Sequence, residues 1–135
     1  MFGRKPKRDE WMWQALRLRR KGKLADKYAT LLQYFSCTSY DNKYCDNGGH
    51  FDYFAIEAYG GHTPEAIANL RSILPAGFLE NFNGALEAYE ALGEDPEYEA
   101  VEAALDKYDD YMMENSDDIA DILKAYIAEI TARKI

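Results

Sequence analysis

Apolar residues recur along most of the chain at intervals of three and four, and no stretch alternates convincingly with a period of two. That spacing restricts the fold to packed α-helices, because it places apolar side chains on one side of a 3.6-residue turn. The clearest stripe is Ile119, Ile122, Leu123, Tyr126, Ile127 and Ile130, with Ser116 as the expected cap and Asp117 and Asp118 in the first turn, near the positive helix end. Before it, "DPEYEAVEAALDKYDDYMMEN" predicts a helix opened by Asp95 and Pro96, with Tyr98, Val101, Leu105, Tyr108 and Met112 facing inward.

Further upstream, "TPEAIANLRSIL" predicts a helix capped by Thr63 with Pro64 in its first turn and a stripe of Ile67, Leu70 and Leu74. Pro75 closes that helix and opens another carrying Phe78, Phe82, Ala85, Leu86 and Tyr89, which Gly93 stops. "DKYATLLQYF" predicts a helix with Tyr28, Leu31, Leu32 and Phe35 on one side. "EWMWQALRLRRK" predicts a short basic helix with Trp11, Ala15 and Leu18 aligned and Asp9 as cap. The expected fold is therefore all-α, a single compact domain of about six or seven helices.

Charge divides the chain in two. Residues 1–27 hold ten Lys or Arg against three acids, whereas the remainder holds six bases against 21 acids. We therefore expect a basic N-terminal arm over 1–27 and an acidic body over 28–135. The arm is expected either to remain solvated or to dock on the protein's own acidic face. Residues 80–121 carry 15 acids and one base, Lys107. Such a body repels nucleic-acid phosphates and attracts positively charged partners, so direct nucleic-acid binding through it is not expected.

Between these segments lies "CDNGGHFDYF", which a hairpin, a helix start or a phosphate-binding loop would each explain. The flanks do not alternate, which disfavours a hairpin. Asp46 and Asp52 oppose an anion, and the glycine pattern and following Lys of a nucleotide loop are missing. A helix start remains, capped by Asn47, with Gly48 and Gly49 allowing close backbone approach and Phe51, Phe54, Ala55, Ala58 and Tyr59 as the buried stripe.

Catalytic and metal chemistry find little support. Cys37 and Cys45 are the only cysteines, expected free, and with His50 and His62 they lack regular zinc spacing. No metal or cofactor is expected. Acid–base work would call on a cluster such as His50, His62, Asp52 and Tyr53, in which the two histidines form no nucleophile–base–orienter set. The sequence shows neither a membrane span nor a secretory leader, so a cytoplasmic address is expected.

Three pieces of the sequence resemble the DNA-mimic protein 19 type family, a group of small domains largely without assigned function. They are "DNGGHFDYF", "TPEAIANLRSILPAGFLENFNGALEAY" and "ALDKYDDYMMENSDDIADILKAYIAEI", which in order span roughly residues 28–130. His50 stands between the glycine pair and Phe51, where the family pattern runs on directly, and the basic segment 1–27 is foreign to it. The resemblance implies an all-α fold, no catalysis, a homodimer, and an acidic surface that stands in for DNA against a DNA-binding regulator.

Helical geometry is compatible with such mimicry. Residues four apart rise about 6 Å, comparable with the spacing of phosphates along one strand. Glu99, Glu102, Asp106, Asp109, Asp110, Asp117, Asp118 and Asp121 are the candidate partner-binding residues. The expected function is a non-enzymatic acidic module that binds a basic protein. The alternative is an immunity or antitoxin-like inhibitor of a basic nuclease or toxin.

Overall fold

The computed structural model describes residues 10–38 and 49–133, and these form six α-helices with no strand among them. In chain order they are α1 (Glu10–Arg20), α2 (Asp26–Thr38), α3 (Gly49–Gly60), α4 (Thr63–Ile73), α5 (Ala76–Leu92) and α6 (Tyr98–Ala132). Helices α5 and α6 share the largest contact, α2 packs on α3, α4 and α6, and α1 lies against α6.

One apolar core joins all the helices. It centres on Leu31, Leu32, Tyr34, Phe35, Tyr53, Leu70, Phe82, Leu105, Met112, Ile119 and Leu123, each almost fully buried. Aromatic rings meet at its middle. Tyr34 stands edge-on to Phe82 at 5.6 Å and to Tyr53 at 5.1 Å, and Phe54 leans on Phe82 at 5.8 Å. These are the tilted geometries that ring quadrupoles favour. Helix α2 is tied to α6 by a flat stack of Tyr28 on Tyr126 at 3.7 Å, while the Tyr126 hydroxyl accepts a bond from the Ala25 N–H at 2.8 Å.

The described part of the basic segment belongs to this core. Met12 and Ala15 of α1 are completely buried and Leu24 nearly so, with Trp11 and Leu18 packed beside them. Packing therefore does not change at residue 27. The Asp9 cap lies outside the described residues.

Several expected boundaries are corrected. Thr63 is the first residue of α4 rather than its cap; His62 holds the cap position and makes no side-chain capping bond. Helix α6 begins at Tyr98 after Glu97, and Asp95 instead takes a positive φ of 50° in the preceding turn. The two helices expected over 95–132 meet end to end within α6 at a kink, where Asn115 leaves helical geometry at φ −115° and ψ 15°, one residue before the expected Ser116 cap. There the Asn115 amide donates to the Tyr111 carbonyl at 2.9 Å and the Ser116 hydroxyl to that of Met113, satisfying acceptors that the break disturbs.

Candidate functional site

Of the eight candidate acids, Glu99, Glu102, Asp106, Asp110, Asp117, Asp118 and Asp121 are exposed on α6. The core stripe on the same helix is Leu105, Met112, Ile119, Leu123 and Ile127. Most of these carboxylates fall well away from the stripe, with Glu102 at its edge, so burial of the stripe turns them toward solvent. From Glu99 to Asp121 the row extends about 33 Å, with the Asn115 break dividing it. Glu80, Glu87 and Glu90 on α5 are exposed as well.

None of the described bases of residues 17–27 forms an ion pair with this row. Helix α1 sits near the other end of α6, where the Gln14 amide donates to the Thr131 hydroxyl at 3.2 Å and Lys124 lies 5.9 Å from the Trp11 ring. The expected docking on the acidic face is not what these residues do, because Met12 and Ala15 draw α1 to the apolar core.

Asp109 differs from the other seven. Its side chain is 26% exposed, and Oδ1 accepts two bonds from His50: one from the backbone N–H at 2.8 Å and one from ring Nδ1 at 2.7 Å. The carboxylate thus supplies, from α6, the anion that the free N–H groups at the start of α3 attract.

His50 is completely buried, and its Nε2 lies 2.7 Å from the Tyr34 hydroxyl. In the neutral ring Nδ1–H donates to Asp109, which leaves Nε2 to accept from Tyr34. Burial, followed by the Asp109 charge, pushes the Tyr34 pKa well above 10, so the hydroxyl keeps the proton it donates. The chain of three residues spans α2, α3 and α6.

Gly49 makes the approach of Asp109 feasible. It has φ +94°, and a Cβ there would lie 2.9 Å from Asp109 Oδ2. Both the backbone angle and the space call for glycine. Asn47 and Gly48, expected to share in this helix start, lie outside the described residues, as does Cys45. Cys37 is buried, and its sulfur accepts a bond from the Gln33 amide at 3.3 Å.

The buried stripe of α3 is also corrected. His50, Tyr53 and Phe54 point inward, Phe51 and Ala55 are partly buried, and Ala58 and Tyr59 are exposed, Tyr59 at 96%. Once His50 is fixed to Tyr34 and Asp109, the helix is turned so that Tyr59 must face outward. Phe51 instead stands edge-on to Tyr89 at 5.7 Å. Tyr98, expected inward, is 73% exposed.

The cluster considered for acid–base work is dispersed. Both ring nitrogens of His50 are engaged inside the core. His62 is an exposed ring whose Nδ1 lies 3.9 Å from Glu57, in a different part of the surface. The Tyr53 hydroxyl is buried, and that burial, followed by the neighbouring Glu57 carboxylate, pushes its pKa far up, so it keeps its proton and does not serve as a base. Among the described residues no group of three or more His, Cys, Asp or Glu is arranged to hold a metal ion.

Beside Asp109, α3 and the first turns of α6 enclose a groove of about 510 Å³. Phe51, Tyr98 and Val101 give it an apolar wall, and Glu102 and Asp106 an acidic one. Partial desolvation, then the charges of Glu102, Asp109 and Asp110, raise the pKa of Asp106. A carboxylate whose folded pKa is raised opposes folding once ionised, so its contribution is most favourable in acid and is lost as pH rises through the folded pKa. Asp106→Asn is therefore expected to raise the thermal midpoint at neutral pH and to lose that gain in acid, where both forms are uncharged. Equal midpoints at neutral pH would show that the crowding has no energetic consequence.

Asp109 carried a sequence signal that its acidic character obscured. It lies four residues after Leu105 and three before Met112, in register with the buried stripe. No local pattern pointed to Tyr34, because its bond to His50 closes across 16 residues. Comparison with family models, curated proteins and solved structures finds no match, so the site rests on its own chemistry.

Proposed function

We propose that this chain is a non-enzymatic acidic interaction module that binds a basic protein in the place that protein gives to DNA. The observation that carries this reading is the row of seven exposed carboxylates on α6, held outward by the buried stripe and without basic partners among the described residues. A protein surface that repels its own charges gains most by meeting a cationic one, and association is accelerated by the same field. Engagement of His50 and Tyr34 inside the core supports a binding role over a catalytic one.

The test begins with capture of partners from native cytosol across a salt series, followed by competition of the captured protein against a labelled DNA duplex. Binding should weaken steeply between about 50 and 200 mM salt. Changing Asp110, Asp117, Asp118 and Asp121 together to Asn should cut affinity by about 100-fold, from surface terms of about 0.5–1 kcal/mol each. If the captured proteins bind that variant as tightly as the parent, the acidic row is not the recognition surface. Binding without displacement of the duplex would retain an acidic module and remove the mimicry.

A further inference from the structure

We propose that the groove between α3 and the start of α6 seats an arginine side chain from an extended basic segment of the partner protein. This inference rests on the acidic-module reading and adds the position and the side chain by which the partner is anchored.

The walls of the groove differ in kind. Tyr98, 73% exposed, leaves most of its side chain open to solvent, and Phe51 and Val101 continue the apolar side. Glu102 and Asp106 lie one helical turn apart on α6, within the same groove.

A flat, weakly hydrated cation suits these walls together. Guanidinium stacks on an aromatic face and pairs with carboxylate through two parallel N–H bonds, whereas ammonium is a compact and strongly hydrated charge. A purely apolar side chain would leave Glu102 and Asp106 desolvated beside it, at a cost. A phosphate or carboxylate ligand would meet repulsion from both. Asp106, crowded by Glu102, Asp109 and Asp110, gains from a cation that offsets their charges.

The experiment uses the full chain, two labelled peptides, one of alternating Arg and Gly and the other its Lys counterpart of equal charge, and fluorescence anisotropy at low salt. The Arg peptide should bind about fivefold more tightly, the magnitude expected of one cation–π contact with a partly exposed ring. Tyr98→Ala, a change at an exposed position, should remove that preference and leave Lys-peptide binding within about twofold. Equal affinities that Tyr98→Ala does not alter would overturn the groove assignment, and the variant of Asp110, Asp117, Asp118 and Asp121 would still decide the acidic row separately. Failure of both peptides to bind would overturn both. If removing residues 1–8 raised Arg-peptide affinity several-fold, the groove would be filled by the chain's own Arg4 or Arg8, which overturns the assignment to a partner.

Discussion

Asp109→Ala is expected to destabilise the protein by about 3 kcal/mol, while Asp110→Ala, one residue away, changes stability by no more than about 0.5 kcal/mol. The two carboxylates have the same charge and the same helix. They differ in what they face. Removing Asp109 leaves the His50 N–H and the ring Nδ1–H without their acceptor at the end of a fully buried side chain. Each buried donor left unpaired costs about 1–3 kcal/mol, and the start of α3 loses its compensating negative charge as well.

Asp109→Asn keeps a carbonyl oxygen and should lose about half as much, since neutral hydrogen bonds are roughly half as strong as charge-assisted ones. Urea denaturation with unchanged slope would read these differences as shifts in midpoint. Equal midpoints for the Asp109 and Asp110 alanine variants would show that the bonds to His50 contribute nothing net. The comparison bears directly on function. A partner-binding experiment that included Asp109 among the neutralised acids would confuse a weakened scaffold with a weakened surface.

How much of this was legible in the sequence depends on the range of the interaction. Helix existence is a local property, and the stripes over 63–74, 76–92 and 119–130 are visible because each helix must bury one side against the rest. Boundaries followed less well. Thr63 is a good capping residue by type, yet it does not cap its helix, because the chain before it is already turned and His62 holds the cap position, whereas the break at Asn115 falls within one residue of the expected Ser116 cap.

The orientation of α3 was the least legible. Its residues are apolar on several sides, and spacing alone favours Phe51, Ala58 and Tyr59 and leaves Tyr53 off the stripe. What chooses between them is a polar contact to residues distant in sequence, Tyr34 and Asp109, with no periodic trace. The acidic side of α6 was legible for the opposite reason. Seven carboxylates fall where the apolar stripe does not, and only Asp109, in register with that stripe, turns inward.

Phe82→Ala is expected to cost about 4 kcal/mol, the upper range for a large aromatic lost from a close-packed interior. Phe82 is fully buried and meets Tyr34 edge-on and Phe54 at a tilt, so it touches the helix that donates to His50 and the helix that carries it. The cavity left behind would border Tyr34, whose hydroxyl bond fixes the ring of His50, which in turn fixes Asp109. Loss of packing and loss of polar order are therefore coupled. Phe82→Leu retains most of the volume and should cost about 1.5 kcal/mol or less. In a double cycle with Asp109→Ala the two changes should fall short of additivity by about 0.5 kcal/mol or more, because both loosen α3 against its neighbours. Strict additivity would mean that the aromatic centre and the Tyr34–His50–Asp109 chain are independent supports. The row on α6 would then be held by the Leu105, Met112, Ile119 and Leu123 stripe alone.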